Sequence, residues 1–144
     1  MQEDTVIKTK SEMDEFALKF AKKIQLESKP IIVLISGEMG AGKTYFVKKV
    51  GEALGVQNVK SPSYTLIDEH LYNGGKFIHI DLYNIKDENE LTLLNIKTIL
   101  QNENILLIEW ADMYMSYFDQ LKDIKIIKLT IEVEDTIRII KIEE

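Results

Sequence analysis

The chain has no cysteine, two prolines, two histidines, one tryptophan and a single arginine, Arg138. Without cysteine there is no disulfide and no thiolate metal site, a usage that fits a reducing cytoplasm. Two histidines without cysteine make a poor ligand set for a transition metal. No apolar run approaches the ~20 residues of a membrane span. The opening "MQEDTVIKTK" lacks the basic-then-apolar pattern of a secretory signal. These absences lead us to expect a cytoplasmic protein with no membrane partner. The shortage of arginine has a chemical meaning. Of 18 cationic residues, all but Arg138 are lysine, which makes 17. Arginine is the usual bidentate clamp for phosphate and the usual donor to a transferring phosphoryl group. A chain with one arginine, far in sequence from any phosphate-binding loop, is expected to be incomplete as a phosphoryl-transfer machine. The net charge of −6 lacks the basic field with which proteins grip nucleic acid.

What is present reads as an ordinary globular protein: 144 residues, 45% hydrophobic and 29% charged. That length suits one domain over 1–144. Residues 5–8 predict a short edge strand. Ser11 is placed as a helix N-cap, with Phe16, Phe20 and Ile24 at helical spacing to about Leu26. Pro30 breaks the helix, and the continuous apolar run Ile31–Ile35 predicts a strand buried on both faces. A loop over 36–42 leads to a helix from Lys43 to about Leu54. "YTLIDEHLY" and "KFIHIDLY" flank "NGG", a hairpin signal. "DENELTLLNIKTIL" predicts a helix, "NILLIEW" a strand, "ADMYMSYFDQL" a helix, and "DIKIIKLTIEVEDTIRIIKIEE" two strands turning near Glu134–Asp135. This order predicts a three-layer α/β domain with a mixed sheet.

The sharpest signal is Gly37-Glu38-Met39-Gly40-Ala41-Gly42-Lys43-Thr44, which matches G-x-x-x-x-G-K-[ST] between a predicted strand and a predicted helix. Glycines allow turns that aim successive N–H groups inward as an anion nest. The helix that follows adds its N-terminal amides and positive dipole end. Lys43 reaches β- and γ-phosphates, and the Thr44 hydroxyl is suited to Mg²⁺.

Such a loop works with a carboxylate at the end of a neighbouring strand. Glu109 ends "ILLIE" and Asp81 ends "FIHID". Strand alternation puts His79 and Asp81 on one face, away from Ile78 and Ile80. Either acid can hold Mg²⁺, directly or through water, or orient the attacking water. His79 and His70 are expected to be hydrogen-bonded partners within the fold. Trp110 either packs on the nucleotide site or fills core. Ser61, Ser63 and Thr65 in "SPSYTL" read as a polar turn fixed by Pro62, or as a switch loop that senses a γ-phosphate. The Asn-Lys-x-Asp guanine signature does not occur, so ATP is the expected nucleotide. The stripe of Met113, Tyr114, Tyr117, Phe118 and Leu121 reads as core, with a partner surface as the alternative.

"GEMGAGKT", "SPSYTL", "HIDLY" and "IEW", in this order and spacing, resemble the TsaE (YjeE) family, from about Ser11 to Trp110. The resemblance implies a P-loop NTPase fold and an ATPase that supports N6-threonylcarbamoyladenosine modification of tRNA. It implies ATP/ADP and Mg²⁺ as cofactors. It implies phosphate binding by residues 37–44, and metal or water roles for Thr44, Asp81 and Glu109 with Trp110 beside them. It also implies a nucleotide-responsive switch at 61–66. The partners implied are TsaD and TsaB, with tRNA met only through their complex. The sequence departs from the family's pattern at Asn84, where arginine is frequent, and at Ala111, where proline is usual. Two other functions are open to such a chain: a small-molecule kinase, or a nucleotide-dependent switch without functional hydrolysis. A kinase would need an arginine-bearing lid that this composition does not provide.

Because no guanine signature is present, ATP and ADP are expected to outcompete GTP and GDP. Competition titration checks this, and equal or tighter guanine binding would overturn the adenine assignment.

Overall fold

The computed structural model describes residues 2–57, 67–72, 75–101 and 103–144. Its elements run β1 (Gln2–Ile7), α1 (Lys10–Leu26), β2 (Ile31–Ser36), α2 (Lys43–Ala53), β3 (Ile67–Tyr72), β4 (Gly75–Asp81), α3 (Glu88–Leu94), α4 (Ile96–Ile99), β5 (Ile105–Glu109), a 3₁₀ turn (Ala111–Tyr114), α5 (Met115–Asp119), β6 (Lys125–Glu134) and β7 (Ile137–Glu143). The strands form one seven-stranded sheet in the order β1-β7-β6-β2-β5-β4-β3. Its centre is parallel: β2 pairs with β5 and with β6, and β5 pairs with β4. Antiparallel hairpins flank that centre, β3–β4 on one side and β6–β7 with β1 on the other. The sheet is therefore mixed, as expected, and the first strand lies at an edge.

Helices cover both faces, which makes three layers. Strand β2 is buried along Ile31–Ile35, and its side chains divide between two cores. Ile31, Val33 and Ile35 pack under α1 and α2 with Phe20, Ile24, Phe46 and Val47. Ile32 and Leu34 pack on the other side with Leu91, Ile96, Tyr114 and Phe118. The α1–α2 contact is aromatic: Phe20 and Phe46 lie 5.5 Å apart between ring centroids, and Phe16 lies 6.0 Å from Phe46. This contact seats α2, whose N-terminus carries the glycine-rich loop.

Three expected boundaries differ. The N-cap of α1 is Thr9, not Ser11: its side chain accepts from Glu12 N–H at 3.1 Å, and Glu12 Oε1 accepts from Lys8 N–H at 2.9 Å. Thr9-Lys10-Ser11-Glu12 is a capping-box pattern, which outcompetes a cap two residues later. The helix expected over 87–100 is two helices, because Asn95 between them takes a left-handed conformation (φ 54°, ψ 58°). The segment expected as a helix over 111–121 opens as a 3₁₀ turn, and α5 ends at Asp119. Tyr114, Phe118 and Leu121 of that segment are buried as core, whereas Met113 is exposed. The loop 61–66, expected to be a turn or a switch, lies outside the described residues.

A left-handed backbone costs a residue with a Cβ roughly 1–2 kcal/mol, and asparagine bears it better than most. Asn95→Ala is expected to destabilise the fold by about 1 kcal/mol, and Asn95→Gly to change it by no more than a few tenths. Denaturant unfolding of the two variants checks this; equal stability of Asn95→Ala and wild type would contradict it.

Candidate nucleotide-binding site

The parallel strands β4, β5 and β2 end level with one another. In register, Asp81 stands beside Glu109, and Glu109 beside Ile35. Backbone bonds tie the ends together: Leu82 N–H donates to Glu109 C=O at 3.1 Å, and Trp110 N–H to Ile35 C=O at 3.1 Å. The carboxyl edge of a parallel sheet is where α/β proteins take ligands, and three of the expected site residues meet there.

The loop over 37–42 leaves β2 and turns into α2 at Gly42, whose φ of 106° is open to glycine but strained for other residues. A Cβ on Gly37 would lie 2.7 Å from the Ile131 carbonyl oxygen on β6, so only glycine fits that approach. No side chain caps the first turn of α2. Its first amides are therefore left without a side-chain cap, as an anion site requires.

Lys43 is 5% exposed. Its ammonium donates to the carbonyl of Gly37, and to that of Glu38 at 3.0 Å. It also lies 3.8 Å from the centre of the Trp110 ring, a cation–π contact. Burial pushes the Lys43 ammonium below its ordinary lysine pKa, against the opposing pull of Glu109, Asp112, Asp81 and Glu38. Trp110 holds this position from a left-handed backbone (φ 61°, ψ 32°) and packs against Tyr83, with centroids 5.0 Å apart. A non-glycine residue in that region costs on the order of 1 kcal/mol and is found at functional sites more often than elsewhere. The Trp110 ring is half-buried, with one contact to the loop lysine and another to the core that holds Ile32 and Leu34.

Glu109 is 2% exposed. Its carboxylate accepts the Thr44 hydroxyl at 3.0 Å (Oε1) and 3.1 Å (Oε2), and its Oε2 lies 2.5 Å from His79 Nε2. Asp81 is more open. Its Oδ1 accepts from Tyr83 N–H at 2.9 Å. Burial raises the Asp81 carboxyl above its ordinary value, with the Tyr83 amide opposing and the Glu109 charge adding to the rise. His70, the second histidine, bonds Asp68 Oδ2 at 2.6 Å on the outer hairpin. Both histidines are thus hydrogen-bonded within the fold, as expected.

Thr44, Glu109 and Asp81 offer hard oxygen donors, which suit magnesium. Among the described residues, no three His, Asp or Glu side chains converge as a ready cage. Magnesium does not need one, since it keeps several waters and takes one or two carboxylates with substrate phosphates. The residues fit the ion.

Two features were not legible. Arg138, remote in sequence, is adjacent in space: its guanidinium donates to the carbonyls of Ala41 (3.3 Å) and Gly40 (3.5 Å). The β6–β7 hairpin carries it to the loop, a pairing that no local signal announces. A cleft of about 450 Å³ opens there, lined by Lys8, Lys10, Ala41, Gly42, Tyr45 and Arg138 among others. Tyr45 beside it donates its hydroxyl to Asp14 Oδ1 at 2.5 Å. The second is Tyr83, which closes "HIDLY": its contact with Trp110 joins two segments distant in sequence.

A glycine-rich loop between a buried parallel strand and a helix, with its lysine and threonine facing a strand-end carboxylate, defines a P-loop NTPase domain. A sequence profile described as "Threonylcarbamoyl adenosine biosynthesis protein TsaE" matches residues 7–140. The chain belongs to the TsaE family. It is similar to the tRNA threonylcarbamoyladenosine biosynthesis protein TsaE of Haemophilus influenzae, with 34% identity over 137 residues, 81% of this chain and 87% of that protein. The protein of the same description from Aquifex aeolicus is 38% identical over 105 residues, 70% of this chain and 74% of that one. Among solved structures, YdiB of Bacillus subtilis superposes with a TM-score of 0.63 at 25% identity, covering 99% of this chain and 84% of that one. No described helix is long and apolar enough to cross a membrane.

Because burial raises the pKa of Asp81, the folded state holds its proton to higher pH than the unfolded chain does. The sign follows: this group makes folding less favourable as pH rises from the ordinary carboxylate range through the raised value. Asp81→Asn is therefore expected to melt no lower than wild type at neutral pH, with its advantage shrinking as pH falls. Thermal melts across pH check this, and a lower melting temperature for Asp81→Asn at neutral pH would contradict it.

Proposed function

We propose that this protein is a magnesium-dependent ATPase that supports N6-threonylcarbamoyladenosine modification of tRNA. It acts with the TsaD and TsaB proteins to permit repeated turnover and meets tRNA only through their complex. The observation that carries the reading is the arrangement of buried Lys43 and Glu109 about half-buried Thr44 beside the glycine-rich loop. Membership in the TsaE family supports the pathway. The net charge of −6 agrees with indirect contact to RNA.

The chain's own groups divide the work. The amides of residues 37–44 and the N-terminus of α2 bind the phosphate chain. Lys43 exchanges the carbonyls of Gly37 and Glu38 for β- and γ-phosphate oxygens, which compensates a buried cation better than neutral dipoles do. The cleft beside Ala41 and Gly42 receives the base and ribose. It lies toward the β7–β1 side of β2, whereas Glu109 and Asp81 lie toward the β5–β4 side, so the nucleotide spans the strand's end. Thr44 directs its hydroxyl proton to Glu109 and its oxygen to the metal site. Asp81, with one oxygen bonded to the Tyr83 amide, is the carboxylate more open to an attacking water. Thr44, with Glu109 and Asp81, would hold magnesium, whose positive charge would offset negative charge developing on the phosphates.

Arg138 is committed to loop carbonyls, so no arginine among the described residues faces the γ-phosphate end. Hydrolysis by the isolated chain is accordingly weak. The TsaB–TsaD pair stimulates it by supplying a group. In other systems a supplied arginine contributes ~10³–10⁵-fold. The same commitment of Arg138 disfavours a kinase, which would need a cationic lid.

Glu109→Gln keeps the shape of the side chain and removes its charge. It is expected to bind ADP within about threefold of wild type, and to lower partner-stimulated hydrolysis by about 100-fold, within the range of single catalytic groups. Multiple-turnover modification with the TsaB–TsaD pair, threonylcarbamoyl-adenylate and tRNA should then stall after the first round. If the cycles run equally well with Glu109→Gln, or with no added protein, the proposed role is wrong.

A further inference from the structure

His79 has no task in the reading above, yet it is fully buried beside the site's central carboxylate. It sits on β4 opposite Leu107 of β5, so Glu109, two residues further along β5, is its diagonal neighbour on the same face. Its Nε2 lies 2.5 Å from Glu109 Oε2, and that carboxylate in turn accepts the Thr44 hydroxyl at both oxygens. The other ring nitrogen, Nδ1, is buried and has no hydrogen-bond partner among the described residues.

The neighbours of the two ring nitrogens bear on where the proton lies. An imidazole facing a carboxylate donates, so Nε2 carries the hydrogen. Nδ1 is then a lone pair without a donor, which costs less than a stranded N–H would. The ring cannot ligate a metal through Nε2 while Glu109 occupies it. Its remaining effect passes through Glu109.

Resting on the assignment of Thr44 as the hydroxyl that faces magnesium, we propose that His79 is the positioning residue of the metal site. Its Nε2–H pins Oε2 of Glu109 and sets the plane of the carboxylate. Thr44 then commits its hydroxyl proton to Glu109 and turns its lone pairs toward the metal. Two torsions would otherwise be loose: the terminal torsion of a glutamate is broad, and a threonine hydroxyl proton rotates to suit its surroundings. The chain His79 → Glu109 ← Thr44 removes both freedoms before any ligand arrives. Groups that orient metal ligands from behind typically contribute 10–100-fold in metal affinity.

His79→Phe keeps an aromatic ring of similar size and removes the donor. His79→Gln keeps an N–H with similar reach. Calorimetric titration of full-length wild type and both variants would measure ADP without magnesium, then Mg²⁺ into the ADP-loaded protein. His79→Phe is expected to bind metal-free ADP within about twofold of wild type and Mg²⁺ about 10-fold more weakly, with His79→Gln restoring Mg²⁺ affinity to within about threefold. A ring that only fills space would give the opposite order, Phe tolerated and Gln not. Nitrogen-15 spectra of wild-type imidazole supply a readout that needs no variant, and they should show the His79 proton on Nε2. The proposal is overturned if His79→Phe binds Mg²⁺ as wild type does, if Gln is as weak as Phe, if metal-free ADP binding falls in parallel, or if the proton is on Nδ1. Wild type whose ADP affinity does not respond to Mg²⁺ would overturn the Thr44 assignment beneath it, a result distinguishable from a defect confined to His79 variants.

Discussion

A carboxylate as deeply buried as that of Glu109 cannot stand uncompensated, and its surroundings are arranged by that requirement. The Thr44 hydroxyl and the His79 imidazole supply hydrogen bonds, and the Lys43 ammonium supplies opposite charge nearby. They come from two elements: Lys43 and Thr44 open α2, and His79 lies on β4. The acid therefore ties the loop to the strand beyond its neighbour. The level endings of β2, β5 and β4 make this possible, because a shift of one residue in β5 would turn Glu109 to the opposite face. The aromatic packing of Phe16, Phe20 and Phe46 then holds α2 where Thr44 meets the acid.

The parts of this arrangement differ in how far the sequence reveals them. The loop, Lys43 and Thr44 are legible because their chemistry is local: contiguous residues form the nest and the cap of the following helix. Glu109 and Asp81 are legible as strand-end acids, since an apolar run that stops at a carboxylate marks where a buried strand meets solvent or a ligand. The pairing of β4 with β5 is long-range, so the meeting of His79 with Glu109 is not legible, although "HID" and "IEW" contain both residues. Arg138 is the clearest case. Distance along the chain predicts isolation, whereas the β6–β7 hairpin returns it to the loop. Helix ends fail for a different reason. Asn95 breaks an amphipathic pattern that otherwise runs on, and only a left-handed backbone reveals the break. At Thr9, two caps compete within three residues and side-chain reciprocity decides.

The sheet separates two tasks about β2. On one side, β5 and β4 end in acids. On the other, β6 and β1 end, and β7 begins, near a cleft with lysines, a tyrosine and the lone arginine at its wall. The glycine-rich loop stands between them and has contacts to both, through Lys43 with Trp110 and through Ala41 and Gly40 with Arg138.

Trp110 is the chain's sole indole, and the loop ammonium rests on its face. An excited indole is sensitive to a cation at that distance and to the polarity around it. Drawing Lys43 toward phosphate would change both at once. The protein thus carries an intrinsic optical probe beside the site proposed for phosphate, with no second tryptophan to dilute the signal. Emission spectroscopy on the unmodified chain can follow occupation of the loop in real time, alone or amid partners whose own tryptophans are replaced.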